Sequence, residues 1–235
     1  LKFFAMTQFA LDANLTFESR RAAWFPNERV LAVADLHLGY AWAHRLAGQL
    51  MPITPPTDTL ARLKELQRDY APREIVVLGD IVHRAVALAS LEKELRELIE
   101  ILSAQSELTL LVGNHDRQLR EVSKQWALPI ELAESREVGG DLLVHGDKAI
   151  AGQKRSQRIV MGHEHPAISI GDGVTTLQKC PCFLISESVI VLPAFSNWAA
   201  GTNIRAYEMM SEAARTADFT RAIAVCGDKL LPVKL

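Results

Sequence analysis

In the first two-thirds of the chain, apolar residues come in short unbroken runs, each ended by a residue unsuited to a core. The runs at 29–34, 74–78, 108–112, 141–144 and 158–161 stop at Asp35, Gly79-Asp80, Gly113-Asn114, His145 and Gly162-His163. Apolar stretches of that length, without polar alternation, predict strands covered on both faces. Between them, 58–70 carries Leu60, Leu63 and Leu66, and 88–104 carries Leu88, Leu91, Leu95, Leu98, Ile99 and Leu102 with Glu and Lys between. Those spacings predict two amphipathic helices, and 116–126 predicts a shorter one. Alternating strands and helices predict an α/β fold with largely parallel central strands. Ligands of such sheets gather at the carboxyl ends of the strands, where every run above terminates.

The pattern changes after His165. Short runs at 168–170, 174–177, 183–185 and 189–192, with turns at Gly171 and Gly173, predict an antiparallel second sheet, and 222–226 predicts a last strand. Residues 15–24 read as one strand before a turn at Pro26-Asn27, and 211–218 as a small polar stretch. With no low-complexity linker or repeat, the expectation is a single domain over 1–235 with a motif-bearing core at 29–200.

Composition narrows the class. Apolar residues make up 49% of the chain and charged residues 23%, which excludes a disordered chain. A net charge of −2 supplies no global basic field, so any polyanion must be met by a local patch. Three cysteines argue against a disulfide framework and for a reducing, cytoplasmic setting. Cys180-Pro-Cys182 lacks the second pair that a zinc site needs, and reads as structural. No apolar run approaches the roughly 18 residues of a membrane span, so no membrane partner is expected.

The chemistry lies in the residues that end the strands. Five pieces follow in order: Asp35-Leu-His37, Gly79-Asp80-Ile-Val-His83, Gly113-Asn114-His115-Asp116, His145-Gly146 and Gly162-His163-Glu-His165. Of the seven histidines only His44 lies outside them. Carboxylate, amide oxygen and imidazole at buried strand ends cost desolvation unless something pairs them, and a divalent cation does so. This ligand mix suits Mn, Fe or Zn. The i, i+2 spacing of Asp35/His37 and His163/His165 puts both side chains on one side if the backbone stays extended. The preceding glycines allow tight turns there.

This ordered set, D-x-H, GD, GNHD, H and GHxH, resembles the calcineurin-like metallophosphoesterases, and the resemblance spans Asp35 to His165. It implies an α/β four-layer fold, two packed mixed β-sheets flanked by α-helices. It also implies two divalent metal ions. The first would take Asp35, His37, Asp80 and His165. The second would take Asp80, Asn114, His145 and His163, with Asp80 bridging. A hydroxide between the ions would attack phosphorus in line. His115 would serve the leaving oxygen as proton donor, and Asp116 would orient His115. His83 would sit at the substrate edge, and Glu164 would face away from the metals.

Arg45, Arg84, Arg117 and Arg120 follow the motifs, and Lys148, Lys154, Arg155 and Arg158 lie between His145 and His163. Loops at that end of the sheets should give a basic rim, so Arg84, Arg117, Lys154 and Arg155, with His83, are the candidate substrate contacts. The run Ala34-Asp35-Leu36-His37-Leu38-Gly39-Tyr40 and the later Leu192-Pro193-Ala194-Phe195-Ser196, with Gly201, resemble a prokaryotic ICC-like subgroup. That subgroup includes ligase-associated DNA-damage-response endonucleases. The resemblance implies a DNA phosphodiester substrate and Mn²⁺, with Fe, Zn or Ni as other occupants. A small-molecule phosphodiesterase or phosphatase, acting on nucleotides or cyclic nucleotides, is the alternative, and an inactive interaction module the remote one. Exposed edge strands in the final third could pair two copies as a homodimer.

Overall fold

The computed structural model describes residues 6–50, 57–150, 157–171, 178–199, 201–206 and 208–235. The expected strand at 174–177 and the candidate contacts Lys154 and Arg155 lie outside the described residues.

Seven strands form the first sheet, in chain order across space: β1 (Gln8–Asp12), β2 (Leu15–Glu18), β3 (Ala22–Phe25), β4 (Val30–Val33), β5 (Glu74–Val77), β6 (Glu107–Leu111) and β7 (Leu132–Ala133). β1 to β4 pair antiparallel, and β4 to β7 pair parallel. The parallel connections carry α1 (Tyr40–Leu46), α2 (Thr57–Tyr70), α3 (Ala89–Ser103) and α4 (Leu119–Gln125). The second sheet holds β8 (Ser135–Val138), β9 (Asp141–Val144), β10 (Ile159–Met161), β11 (Pro166–Ile170), β12 (Gln178–Ile185), β13 (Val189–Val191), β14 (Thr202–Asn203), β15 (Arg221–Cys226) and β16 (Lys229–Lys234). The short α5 (Glu212–Thr216) precedes β15.

Strand alternation explains the layers. Leu31 and Val33 of β4 and Ile75 and Val77 of β5 face the helices, where they meet Leu63 and Leu66 of α2 and Leu91, Leu95, Leu98 and Leu102 of α3. Their neighbours Val30, Ala32 and Val76 face the other sheet and meet Leu143, Val160, Ile190 and Phe183. Phe17 stacks on Phe183 at 4.4 Å across that interface. Each such side chain, fully removed from water, contributes about 1.5–3 kcal/mol. The outer face of the second sheet is covered by α5 and loops, so the helical flank there is thin; Cys180, Cys182 and Leu184 share that face. The two cysteines are thus sheet-packing residues. The Cys180 and Cys226 sulfurs lie 2.9 Å apart, and burial pushes the Cys226 thiol up to about 12.

Three expectations change in detail. Residues 15–24 are two strands, because Arg21 adopts φ 66° in a turn that folds β3 back on β2. The expected helix at 116–126 begins later, after a 3-10 turn at Asn114–Asp116. Arg158 is not a rim residue: it precedes β10, at the end opposite its ligands. It is paired with Asp141 at 2.6 Å and Asp12 at 2.7 Å, while Lys148 is paired with Glu134 at 2.8 Å.

Glu74 at the start of β5 is a second locked charge. It is 1% exposed and accepts from Arg136 at 2.9 and 2.8 Å and from Thr109 Oγ1 at 2.6 Å. Burial alone would raise its carboxyl, but these partners hold it below its ordinary value of 4.5. The stability it contributes is therefore fully present above about pH 4.5 and lost as pH falls through the lower folded value. Arg136→Ala leaves this carboxylate buried and half-paired. With Arg136 itself 41% exposed, the expected cost is about 2 kcal/mol, or roughly 5 °C in Tm by thermal denaturation at pH 7.

Candidate metal centre

The loops leaving β4, β5, β6, β9 and β10 meet at one edge of the sandwich. Backbone hydrogen bonds lace them together: Asp35 N–H donates to Gly79 O, His37 N–H to Asp80 O, Gly162 N–H to His145 O and Ser196 N–H to Asp35 O. Among the described residues nine non-glycine residues have positive φ, and five of them are Asp35, His37, Asp80, His163 and His165. That conformation costs an L-residue energy and persists where the surroundings over-determine it, as at functional sites. The extended path anticipated for the Asp-x-His and His-x-His pairs is therefore replaced by left-handed turns at the ligands themselves.

Ligand atoms of Asp35, His37, Asp80 and His165 all lie within 4.8 Å of one another. His37 Nε2 and His165 Nε2 face each other at 3.2 Å, with Asp35 Oδ1 3.5 Å from the latter. A second group converges on His145. Its Nδ1–H donates to the Leu78 carbonyl at 2.9 Å, which leaves Nε2 a bare lone pair. That lone pair faces Asn114 Oδ1 at 3.1 Å, His163 Nδ1 at 3.2 Å and Asp80 Oδ1 at 3.4 Å. Acceptors turned on one another repel unless a cation lies among them, so both donor sets fit divalent metals. Asp80 belongs to both: Oδ1 points to His145, and Oδ2 lies 3.9 Å from His37.

The electrostatics fit ligand duty at His37 and Asp35. At His145 and His165 burial is outweighed by the Asp35 and Asp80 charges, which raise both above the ordinary imidazole value, so a proton competes with a metal ion there. Burial and the neighbouring imidazoles hold His37 down at about 3, in its neutral, lone-pair form. Burial and the Asp35 charge raise Asp80, while His165, His145 and His37 outweigh burial to lower Asp35.

His115 lies beside this centre with its side chain 34% exposed. Its Nδ1–H donates to the His83 carbonyl at 2.5 Å, and its Nε2 lies 3.9 Å from Asp80 Oδ2. The expected Asp116–His115 pairing is replaced by another. The Asp116 carboxylate accepts from the backbone N–H groups of Gly113, Ile81 and Val82 at 2.9–3.2 Å. It ties the β5 and β6 loops together, and the His83 carbonyl orients His115. Glu164 faces away from the ligands, accepting from Met210 N–H and Ser211 N–H at the start of α5. The His83 ring stacks on His115, and Arg84 and Arg117, which follow these two histidines in the chain, are exposed. His44, the one histidine outside the motifs, stacks on His83 at 5.2 Å. Sequence reasoning did not single out Arg21 and Arg62, whose guanidiniums donate to the carbonyls of Ala194, Phe195 and Ser196 and so brace the segment that holds Asp35.

The family model for calcineurin-like phosphoesterases matches residues 28–179, well over half the chain. The chain belongs to the calcineurin-like phosphoesterase family. Among solved structures, this phosphoesterase is similar to the nuclease MPE of Pseudomonas putida. The TM-score is 0.69 and the identity 23%, over 96% of this chain and 98% of that one. At that identity the likeness is one of fold. No curated protein matches the chain. Among the described residues no helix is long and apolar enough to cross a membrane.

Proposed function

We propose that this phosphoesterase is a dinuclear-metal-dependent phosphodiesterase acting on DNA, with Mn²⁺ as the working ion. The observation that carries the reading is Asp80, whose two carboxylate oxygens are divided between two convergent donor sets. Asp35, His37 and His165 would complete one ion's shell, and Asn114, His145 and His163 the other's. Two ions held there would neutralise the phosphoryl oxygens and acidify an attacking water.

The remaining work belongs to the chain. His145 is fixed in its tautomer by Leu78, so Nε2 is always presented to the site. His115, anchored through its Nδ1–H bond to the His83 carbonyl, would carry a second proton on Nε2 and, as an imidazolium, give it to the leaving oxygen and return to the neutral ring. Arg84 and Arg117 are exposed beside it and neutralise flanking phosphates. The structural likeness to a nuclease supports a polymeric substrate.

The test is a metal-dependence assay on chelated protein. Mn²⁺, Mg²⁺, Zn²⁺ or Ni²⁺ is returned, and bis-p-nitrophenyl phosphate, p-nitrophenyl phosphate and single-stranded DNA are offered in parallel. Diester and DNA cleavage with Mn²⁺, and little monoester turnover, is the expected result. Turnover of small esters with DNA untouched would replace DNA by a nucleotide or cyclic nucleotide as the substrate.

A further inference from the structure

A row of rings runs outward from the metal centre. His83 stacks on His115 at 5.1 Å and 29°, Tyr40 lies 4.5 Å from His83, and Trp198 stacks on Tyr40 at 5.6 Å and 10°. The four come from separate parts of the chain. Tyr40 opens α1, His83 and His115 follow β5 and β6, and Trp198 follows β13. Tyr40 and Trp198 belong to none of the three apolar cores, and both are only half-buried.

A Trp–Tyr pair stacked near-parallel at the mouth of a site, outside any core, presents a flat apolar surface with π faces. Nearby, Arg45, Arg84 and Arg117 are exposed and make no ion pair among the described residues. Flat rings beside unpaired guanidiniums are the two features that hold nucleic-acid strands, the rings taking bases and the cations taking phosphates. Tyr40 and Trp198 also line one small cavity with the ligand candidate His37, which sets the pair against the metal centre.

We propose that Tyr40 and Trp198 form a stacking subsite for the nucleobase next to the phosphate being cleaved, with Trp198 the specificity-determining residue. The subsite rests on the phosphodiesterase reading above, and it adds what that reading leaves open: recognition of a base as well as of a phosphodiester. A purely structural pair, holding α1 against the 196–199 turn, would affect stability and leave base preference unmoved.

The experiment compares two substrates with one leaving group, thymidine 5′-p-nitrophenyl phosphate and the 5′-p-nitrophenyl phosphate of the abasic 1,2-dideoxyribose, under Mn²⁺. An oligonucleotide with a base, or with an abasic tetrahydrofuran residue, at the cleaved position serves as the polymer arm. The readout is the ratio of kcat/KM with and without the base. Wild type is expected to favour the base by about tenfold. In Trp198→Ala the ratio should fall towards one, mainly through KM, and Trp198→Phe should restore most of it. Trp198→Leu and Tyr40→Leu keep apolar bulk without the stacked plane and carry the test if the alanine variant does not fold. A wild-type ratio near one, or a folded Trp198→Leu that keeps the preference, overturns the subsite. Oligonucleotides left intact while the thymidine ester keeps its advantage would instead sink the DNA reading and leave the subsite standing.

Discussion

Asp80→Asn is expected to remove essentially all phosphodiester turnover while the protein stays folded. The substitution conserves shape and volume but takes away the negative charge that both donor sets share. It also sets an amide N–H₂ among imidazole lone pairs and the Asn114 oxygen, where a donor cannot serve as a metal ligand. Loss should far exceed the about 10–100-fold that changes outside a metal's ligands cost. The His115 N–H that Asp80 Oδ1 accepts at 3.0 Å can be met by an amide oxygen, so the loop has no reason to unfold. Steady-state kinetics on bis-p-nitrophenyl phosphate with a parallel thermal melt checks both halves. Wild-type turnover in a folded Asp80→Asn would show that a shared carboxylate is unnecessary.

A smaller defect of the same kind is expected from two glycines that carry no ligand. A Cβ on Gly113 would run into the Asp80 backbone nitrogen and carboxylate, and one on Gly162 would come within 2.7 Å of both Ala34 Cβ and Asp35 Oδ2. Neither residue has positive φ, so the requirement is for space and not for a special backbone conformation. Gly113→Ala and Gly162→Ala should each push a carboxylate off its position. The expected cost is about 10–100-fold in kcat, with metal binding weakened in step. Kinetics across a Mn²⁺ titration separates the cases. Full activity at saturating metal in both variants would mean that the carboxylates are free to move aside.

The sequence made the chemistry legible because it is written at strand ends. Asp35, Asp80, Asn114, His145 and His163 each follow an apolar run too short for a helix and too apolar for a surface, so topology alone brings them to one edge. The alternation of strands and helices made the layers legible for the same reason. The backbone at the site was not. Glycines beside the ligands suggested that they would take the unusual dihedral angles, yet Asp35, His37, Asp80, His163 and His165 adopt positive φ themselves. Only cross-loop hydrogen bonding, which no local pattern encodes, can stabilise that choice.

Charge was the least legible property. Arg158 read as part of a basic rim from its place between two ligands, but a residue before a strand and a residue after it lie at opposite ends of the sheet, and Asp141 and Asp12 neutralise it there. Lys148, after β9, stays at the ligand end and pairs with Glu134. Asp116 sits next to His115 in the chain and turns away from it, because three unsatisfied backbone amides offer a buried carboxylate better partners than one imidazole. The strand β16 was missed because Pro232 interrupts its apolar pattern, a residue tolerated near the edge of a sheet, beyond the single bridge that Leu230 makes to Met6. The Tyr40–Trp198 stack was invisible, its two rings lying in distant segments of the chain.

The most direct test of the account is the number of metal ions that the folded chain holds. Protein stripped with chelator, reloaded with Mn²⁺ and freed of excess should retain two ions per chain by elemental analysis. Asp80→Asn should retain one or none. Two ions in the wild type that persist unchanged in Asp80→Asn, or a single ion in a fully active wild type, would contradict a centre built on that carboxylate.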